Sequence, residues 1–134
     1  MKNKILKIAL VGRTNAGKST LINRIVGEKI SIQNKKINTT QFTIIGVKNI
    51  KKTQLIFYDT PGSNFLKSLN KQSKNLKINL WNGIDESDII LYLIDSKTAN
   101  IKFLFDQIYK LQEVNKKIIV VFNKIDLISN KHIL

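Results

Sequence analysis

Hydrophobic and polar positions along this 134-residue chain follow two periods, and the switch between them marks out the elements. A short apolar run from Ile5 to Val11 stops at Gly12 and reads as a buried strand. From Gly17 to Val26 the apolar residues Leu21, Ile22 and Ile25 share one face, which predicts a helix ended by Gly27. Glu28 to Gln41 is polar with no firm period and reads as a long loop. Phe42 to Ile50 and Gln54 to Tyr58 are strand-like runs joined at Lys51, Lys52 and Thr53, the spacing of an antiparallel hairpin. Phe65 to Ile84 can place Leu69, Leu76, Leu80 and Ile84 on one helix face, although Lys71 to Asn75 is polar throughout. Ile89 to Ile94 is another buried strand. Ile101 to Val114 carries Ile101, Leu104, Phe105, Ile108 and Leu111 at helical spacing, and Ile118 to Phe122 is the next buried strand. Ile125 to Leu134 begins a further element.

Buried strands alternating with helices predict an α/β fold: a mainly parallel sheet between helices in three layers. The length suits one domain, and no internal repeat, low-complexity stretch or linker divides it. Ligands of such sheets bind beyond the carboxyl ends of the strands. The polar motifs that follow the predicted strands therefore belong to one edge.

Composition changes this picture little. Hydrophobic residues make up 43%, enough to fill one core, and aromatics only 7%, so Ile, Leu and Val do most of the filling. The absence of cysteine excludes disulfides, zinc–thiolate sites and thiol catalysis, and the lone His132 cannot build a metal site. No apolar run is long enough to cross a membrane, and nothing supports association with a membrane surface. The first residues lack the pattern of a signal peptide, so a cytoplasmic protein is expected. The net charge of +14 admits an RNA partner, but the lysines are spread along the chain without a dense block and read as solvated faces.

The candidate chemistry lies in three motifs. Gly12-Arg13-Thr14-Asn15-Ala16-Gly17-Lys18-Ser19 satisfies the P-loop pattern, with a strand before it and a helix after it. Glycines let the backbone curl so that successive N–H groups face phosphate oxygens. Lys18 reaches the β- and γ-phosphates, the Ser19 hydroxyl is a hard ligand for Mg²⁺, and the helix start presents its positive end. The plainer reading is a Gly-rich strand-to-helix turn.

Asp59-Thr60-Pro61-Gly62 ends the second hairpin strand. Its composition alone describes a turn, but beside a P-loop Asp59 is placed to hold the metal, through a water, and Gly62 to bring an N–H to the γ-phosphate. Thr39 and Thr40 stand in the long loop. A hydroxyl there can reach Mg²⁺ and the γ-phosphate only with GTP bound, ordering the loop in one nucleotide state; otherwise the pair simply leads into the strand.

Asn123-Lys124-Ile125-Asp126 follows the last buried strand. A carboxylate accepts at two oxygens, matching the N1–H and exocyclic amine of guanine, whereas adenine would leave it unpaired. Asp126 is thus the selector of GTP over ATP. Asn123 can brace the loop, and the Lys124 stem can cover the base.

Together, Gly12 to Leu21, Gly27 to Ile32 (GEKISI), Thr39-Thr40, Ile45-Gly46-Val47, Asp59 to Gly62 and Asn123 to Asp126 resemble the G domain of translation-factor-type small GTPases, and the bacterial Era family in particular. The resemblance implies a GTPase that assists maturation of the small ribosomal subunit, with ribosomal RNA as a partner through a second, KH-type domain. It carries nucleotide-binding roles onto Gly12, Asn15, Ala16, Gly17, Lys18, Ser19, Thr20, Asp59, Gly62, Asn123, Lys124 and Asp126. By the same resemblance Ser19, Thr40 and Asp59 serve Mg²⁺, Lys18, Thr40 and Gly62 serve catalysis, and Asn15 favours K⁺.

The chain departs from the family at Thr14, Ala16, Gln41 and Ser63, and no water-positioning residue is evident. It also stops at Leu134, before the family's last base-contacting loop, closing helices and KH domain. Residues 1–134 are therefore expected to be an incomplete Era-type G domain, marginal in stability because apolar sheet surface stays uncovered. Slow GTP hydrolysis is the first functional expectation. A guanine-nucleotide-binding chain without useful turnover and a basic RNA-binding module are the alternatives.

Overall fold

The computed structural model describes residues 3–13, 15–27, 32–34, 42–60 and 71–129. Among them the chain runs β1 (Lys4–Gly12), α1 (Lys18–Val26), β2 (Ile32–Asn34), β3 (Phe42–Ile50), β4 (Thr53–Asp59), α2 (Lys71–Glu86), β5 (Ile89–Asp95), α3 (Ile101–Gln112) and β6 (Lys117–Asn123). A single 3-10 turn at Ile125–Leu127 follows. The strands make one sheet in the order β2-β3-β4-β1-β5-β6. β1 runs parallel to β4 and β5, and β5 to β6, while β2, β3 and β4 pair antiparallel. The expected α/β fold with a mainly parallel sheet is the one observed.

Alternation along β1 divides the core between the two faces of the sheet. Ile8 and Leu10 join Phe57, Leu93, Ala16 and Ile22 under α1. Ala9 and Val11 join Ile90, Tyr92 and Ile94 under Leu80 and Ile84 of α2 and Leu111 of α3. A central strand buried on both faces has no polar side chain to spare, which is why β1 is wholly apolar from Ile8 to Val11, beyond the half-buried Lys7. Each fully buried Leu or Ile here contributes about 1.5–3 kcal/mol. No helix among the described residues is long and apolar enough to cross a membrane.

Three details differ from the sequence pattern. β2, paired to β3 at Ile32↔Ile44, lies inside the stretch expected to be loop; a three-residue edge strand has too little length to show a period. The polar stretch from Lys71 is helical, so α2 spans Lys71–Glu86, while residues 65–70 of the expected helix lie outside the described residues. Leu80 and Ile84, four apart and buried, anchor that helix. In α3, Leu104 packs against the core and Leu111 is buried within it, but Ile101 and Phe105 are 69% and 68% exposed. The fully buried position between Leu104 and Leu111 is Gln107, whose amide oxygen and nitrogen have no hydrogen-bond partner.

Helix ends are tied to neighbouring elements. The Lys116 ammonium donates to the carbonyls of Ile84 (2.8 Å), Asp85 and Ser87 (2.5 Å), closing the carboxyl end of α2. Lys48 of β3 donates to Ile25 O at the end of α1 (2.5 Å). At the start of α3, the Asn100 side chain accepts from Phe103 N (3.1 Å).

Candidate functional site

The carboxyl ends of β1, β4, β5 and β6 deliver Gly12, Asp59, Asp95 and Asn123 to one edge of the sheet. The chain leaves β1 towards β4 through α1 and the hairpin, then crosses to β5 on the other side of β1. That reversal opens the crevice where α/β proteins bind ligands, and the loop Gly12–Ser19 lies in it.

The loop is shaped by close approach and by left-handed backbone. A Cβ on Gly12 would stand 2.6 Å from Leu93 O of β5, so only glycine lets the two strands pass there. Gly17 (φ 95°) caps α1 in the left-handed region, and a side chain on it would collide with the Asn123 amide. Asn15 is left-handed as well (φ 65°). The first turn of α1 carries no acidic residue, so its free N–H groups and positive end face the crevice uncompensated.

Asn123 and Lys124 bind the end of β6 to this loop. Asn123 Nδ2 donates to Ala16 O at 2.9 Å. Lys124 Nζ donates to Asn15 O at 2.8 Å and to Asp95 Oδ2 at 2.7 Å. Lys124 is itself left-handed (φ 58°) and begins the 3-10 turn whose first residues include Asp126, exposed at the edge. The hydrogen bond from Lys124 holds the Asp95 carboxyl below the usual carboxylate range. Thus the loop suited to phosphates and the loop suited to a base are one hydrogen-bonded unit, although more than a hundred residues separate them in sequence.

On the other side, Lys18 Nζ donates to Thr60 O at 3.1 Å. Burial pushes the Lys18 ammonium below its usual value, with Asp59 opposing, and pushes the Asp59 carboxyl up, with Lys18 and the Thr60 N–H opposing. Asp59 Oδ1 is buried with no hydrogen-bond partner. Each charge therefore lacks a full counterpart: Lys18 suits an anion and Asp59 a cation. Among the described residues no three His, Cys, Asp or Glu cluster as a metal cage. The unpartnered Asp59 Oδ1 and the exposed Ser19 hydroxyl, both at this edge, suit a hard divalent ion that takes its remaining oxygens from phosphate and water, which is how Mg²⁺ is commonly held.

Of the residues singled out in the sequence, the structure brings together Gly12, Asn15, Ala16, Gly17, Lys18, Ser19, Thr20, Asp59, Asn123, Lys124 and Asp126 at this edge. Thr39, Thr40, Gly62 and Ser63 lie outside the described residues. Two residues were not singled out. Asp95 anchors Lys124, and Thr60 sends its hydroxyl to Leu10 O, locking β4 to β1 beside Lys18. Asp95 had a readable signal: it follows an apolar strand just as Asp59 and Asn123 do. A cavity of ≈ 400 Å³ nearby, lined by Arg13, Asn15, Asp95 and Phe103 among others, does not include Lys18, Asp59 or Asp126 in its walls, so it adjoins the cradle without being it.

Comparison with known proteins agrees with this geometry. The profile of the family described as 50S ribosome-binding GTPase matches residues 7–124. GTPase Era of Buchnera aphidicola (subsp. Acyrthosiphon pisum) is 43% identical over 130 residues, covering 95% of this chain and 44% of that protein. The structure of a variant of Aquifex aeolicus Era bound to GDP·AlF4⁻ superposes with a TM-score of 0.72 at 37% identity, over 92% of this chain and 42% of the other. That of Era in complex with MgGDPNP and nucleotides 1506–1542 of 16S ribosomal RNA gives 0.73 at 37% identity, over 94% and 42%. The chain spans about two fifths of the length of the relatives it matches.

Proposed function

Because the chain belongs to the family of 50S ribosome-binding GTPases, we propose that it binds GTP and GDP through the Gly12–Ser19 and Asn123–Asp126 loops and hydrolyses GTP to GDP. The observation that carries this reading is the pair of bonds from Asn123 to Ala16 O and from Lys124 to Asn15 O. They hold phosphate cradle and base reader at a fixed separation, so a nucleotide is measured as a whole rather than by its phosphates alone. Asp126 selects guanine by accepting from N1–H and the exocyclic amine.

Phosphates restore to Lys18 the charge partner that burial denies it. Mg²⁺ held by Ser19, Asp59 through a water, and Thr40 would neutralise charge on the β- and γ-oxygens. The chain's own contribution to turnover is positional: Lys18 and the loop N–H groups stabilise the spreading negative charge, with the Gly62 N–H added at the γ-phosphate. With no glutamine or arginine finger evident, intrinsic turnover is slow. Asn15, left-handed at the mouth of the loop, is the candidate to favour K⁺.

The partner proposed is the small ribosomal subunit, because the solved Era relative is bound to 16S ribosomal RNA. The family description names the large subunit, so co-sedimentation with separated subunits decides between them. Residues 1–134 are read as the nucleotide-binding part of an Era-type protein, located in the cytoplasm. A second reading, guanine-nucleotide binding without useful turnover, rests on Ser63, which stands after Asp59–Gly62 in place of a catalytic glutamine or hydrophobic residue.

Titration of a fluorescent GDP analogue with Mg²⁺, competed by GTP and by ATP, tests the site; competition by ATP as strong as by GTP would remove the role given to Asp126. Single-turnover hydrolysis against Lys18→Ala tests catalysis. Equal rates in the two proteins leave the binding reading only.

A further inference from the structure

The net charge of +14 is spread evenly in its lysines but not in its acids. Residues 1–58 hold twelve Lys and Arg against one acid, Glu28, whereas residues 59–134 hold eleven against eight. Folding turns this difference in sequence into a difference between places. β1, α1, β3 and β4 lie side by side, and among their described residues the one acid is Asp59, at the carboxyl edge. The opposite, amino edge of the same strands is where the β3–β4 turn, the start of β1 and the end of α1 meet. Lys4, Arg24, Lys48, Lys51 and Lys52 are all exposed there. Lys4 N bonds to Lys52 O at 2.9 Å, which fixes the start of β1 against the turn, and Lys48 Nζ ties β3 to the end of α1.

Between these cations the sheet end is open and carries amides beside the exposed Ile5. Ile5, Gln54 and Asn49 stand in one row across β1, β4 and β3. With Asn3, Lys51, Lys52 and Thr53 they surround an open hollow of ≈ 440 Å³. The acids of the neighbouring strand end stop short of it: Asp88 accepts from the Lys7 N–H, and Glu86 stands 3.9 Å from the Lys7 ammonium. Lys7 thus forms the border between a basic and an acidic part of the same edge.

We propose that this amino edge, around the β3–β4 turn, is a second phosphate-binding surface that takes the sugar–phosphate backbone of RNA. Several cations at spacings of a few residues, with Asp59 at the far edge the one acid among the described residues of these elements, suit a polyanion with a repeating charge rather than a single small anion, and they gain affinity by releasing its counterions. The amides of Asn3, Asn49 and Gln54 add donors and acceptors for ribose hydroxyls and base edges. The surface lies at the far end of the strands from the nucleotide site, so RNA and nucleotide occupy the chain together.

The test compares two triple variants of the whole chain, each losing three positive charges: Lys4→Gln/Lys51→Asn/Lys52→Gln at the turn, and Lys97→Gln/Lys102→Gln/Lys110→Gln on the other half. Asn is used at 51 because that residue is left-handed (φ 53°). The probe is a labelled single-stranded RNA of about 20 nucleotides, titrated at several salt concentrations. The turn variant is expected to reduce the log–log salt slope by about 2, since each lost phosphate contact removes roughly 0.7. It should weaken binding about tenfold or more at low salt, with GDP binding unchanged and Lys→Arg at the same three sites restoring affinity. Equal losses in the two variants would mean that charge acts diffusely, and the surface would be rejected. No RNA binding by the parent chain, or binding of polyglutamate as tight as RNA, overturns the proposal too. GDP binding measured alongside reports the nucleotide site separately, so failure of one reading is not failure of the other.

Discussion

Two lysines flank β6, and they do the same chemistry to different ends. Lys116, just before the strand, gives its ammonium to three backbone carbonyls at the end of α2. Lys124, just after it, gives its ammonium to the Asn15 carbonyl and the Asp95 carboxylate. Both satisfy acceptors that the backbone leaves open, and both join segments far apart in sequence. The strand between them carries one to the amino edge and the other to the carboxyl edge. At the amino edge the acceptors end a helix, so Lys116 is a structural tie. At the carboxyl edge they belong to the loop proposed to cradle phosphate and to Asp95 at the end of β5, so Lys124 fixes the shape of the proposed binding site. Place in the sheet, rather than side-chain chemistry, assigns the role.

The largest effect expected on this contrast is that of Lys124→Ala. It removes both bonds, frees the Asn15 turn and leaves Asp95 without its cation, held only by backbone N–H groups such as that of Lys97. GDP affinity should fall about 100-fold, near 2–3 kcal/mol for a charged hydrogen-bonding group, with little change in the melt of the nucleotide-free chain. A larger fall in melting temperature than in affinity would erase the distinction between the two lysines.

Lys116→Ala should do the reverse. Loss of the tie at α2 is expected to destabilise by about 1–2 kcal/mol, lowering the melting temperature by roughly 3–8 °C. GDP affinity measured well below the melt should stay within about twofold. A tenfold loss of GDP affinity would show that α2 communicates with the cradle.

Asp95→Asn sharpens the comparison from the other partner. It keeps a hydrogen-bond acceptor for Lys124 but removes the charge, so a loss of about three- to tenfold in GDP affinity is expected, with faster release. In the double variant Asp95→Asn/Lys124→Ala the losses should fall short of the product of the single ones, because the two residues share one contact.

The smallest effect is that of pH. Lys124 holds the Asp95 carboxyl below its ordinary value in the folded chain. A depressed carboxyl adds stability that is complete above its unfolded pKa and disappears as pH falls through the folded one. The Asp95–Lys124 contribution should therefore be constant from about pH 5 to 8 and vanish only in more acid solution. GDP off-rates of the parent chain and of Asp95→Asn, compared across that range, should keep a constant ratio; a ratio drifting near neutrality would place another titrating group in the clamp.

Much of this molecule is legible without coordinates. The apolar runs before Gly12 and Asp95 announce buried strands, because strands covered on both faces admit no polar alternation, whereas the equally apolar run before Asn123, expected to be buried, forms an edge strand with Ile119 and Phe122 exposed. The P-loop and Asn123–Asp126 motifs are read from spacing, because phosphate and guanine demand fixed residue types at fixed offsets. Other features are hidden for equally physical reasons. Gln107 occupies a core position that its polarity disguises, while the apolar Ile101 and Phe105 face outward, so the helix period is right and the face is partly wrong. The even spread of lysine conceals the sidedness of charge, because the missing acids, rather than the lysines, make the difference.

The sequence by itself determined the order of elements apart from the short edge strand β2, the mainly parallel character of the sheet and the chemistry offered at each strand end, since these follow from local period and residue type. Only the tertiary structure decided which distant groups meet. That Lys124 reaches Asn15 and Asp95, that Asn123 donates to the Ala16 carbonyl, and that Lys18 and Asp59 lie half-buried near each other with neither charge fully matched are consequences of packing strands from both ends of the chain side by side. Such contacts have no local signature: each bond depends on a partner that is remote along the chain until the sheet forms.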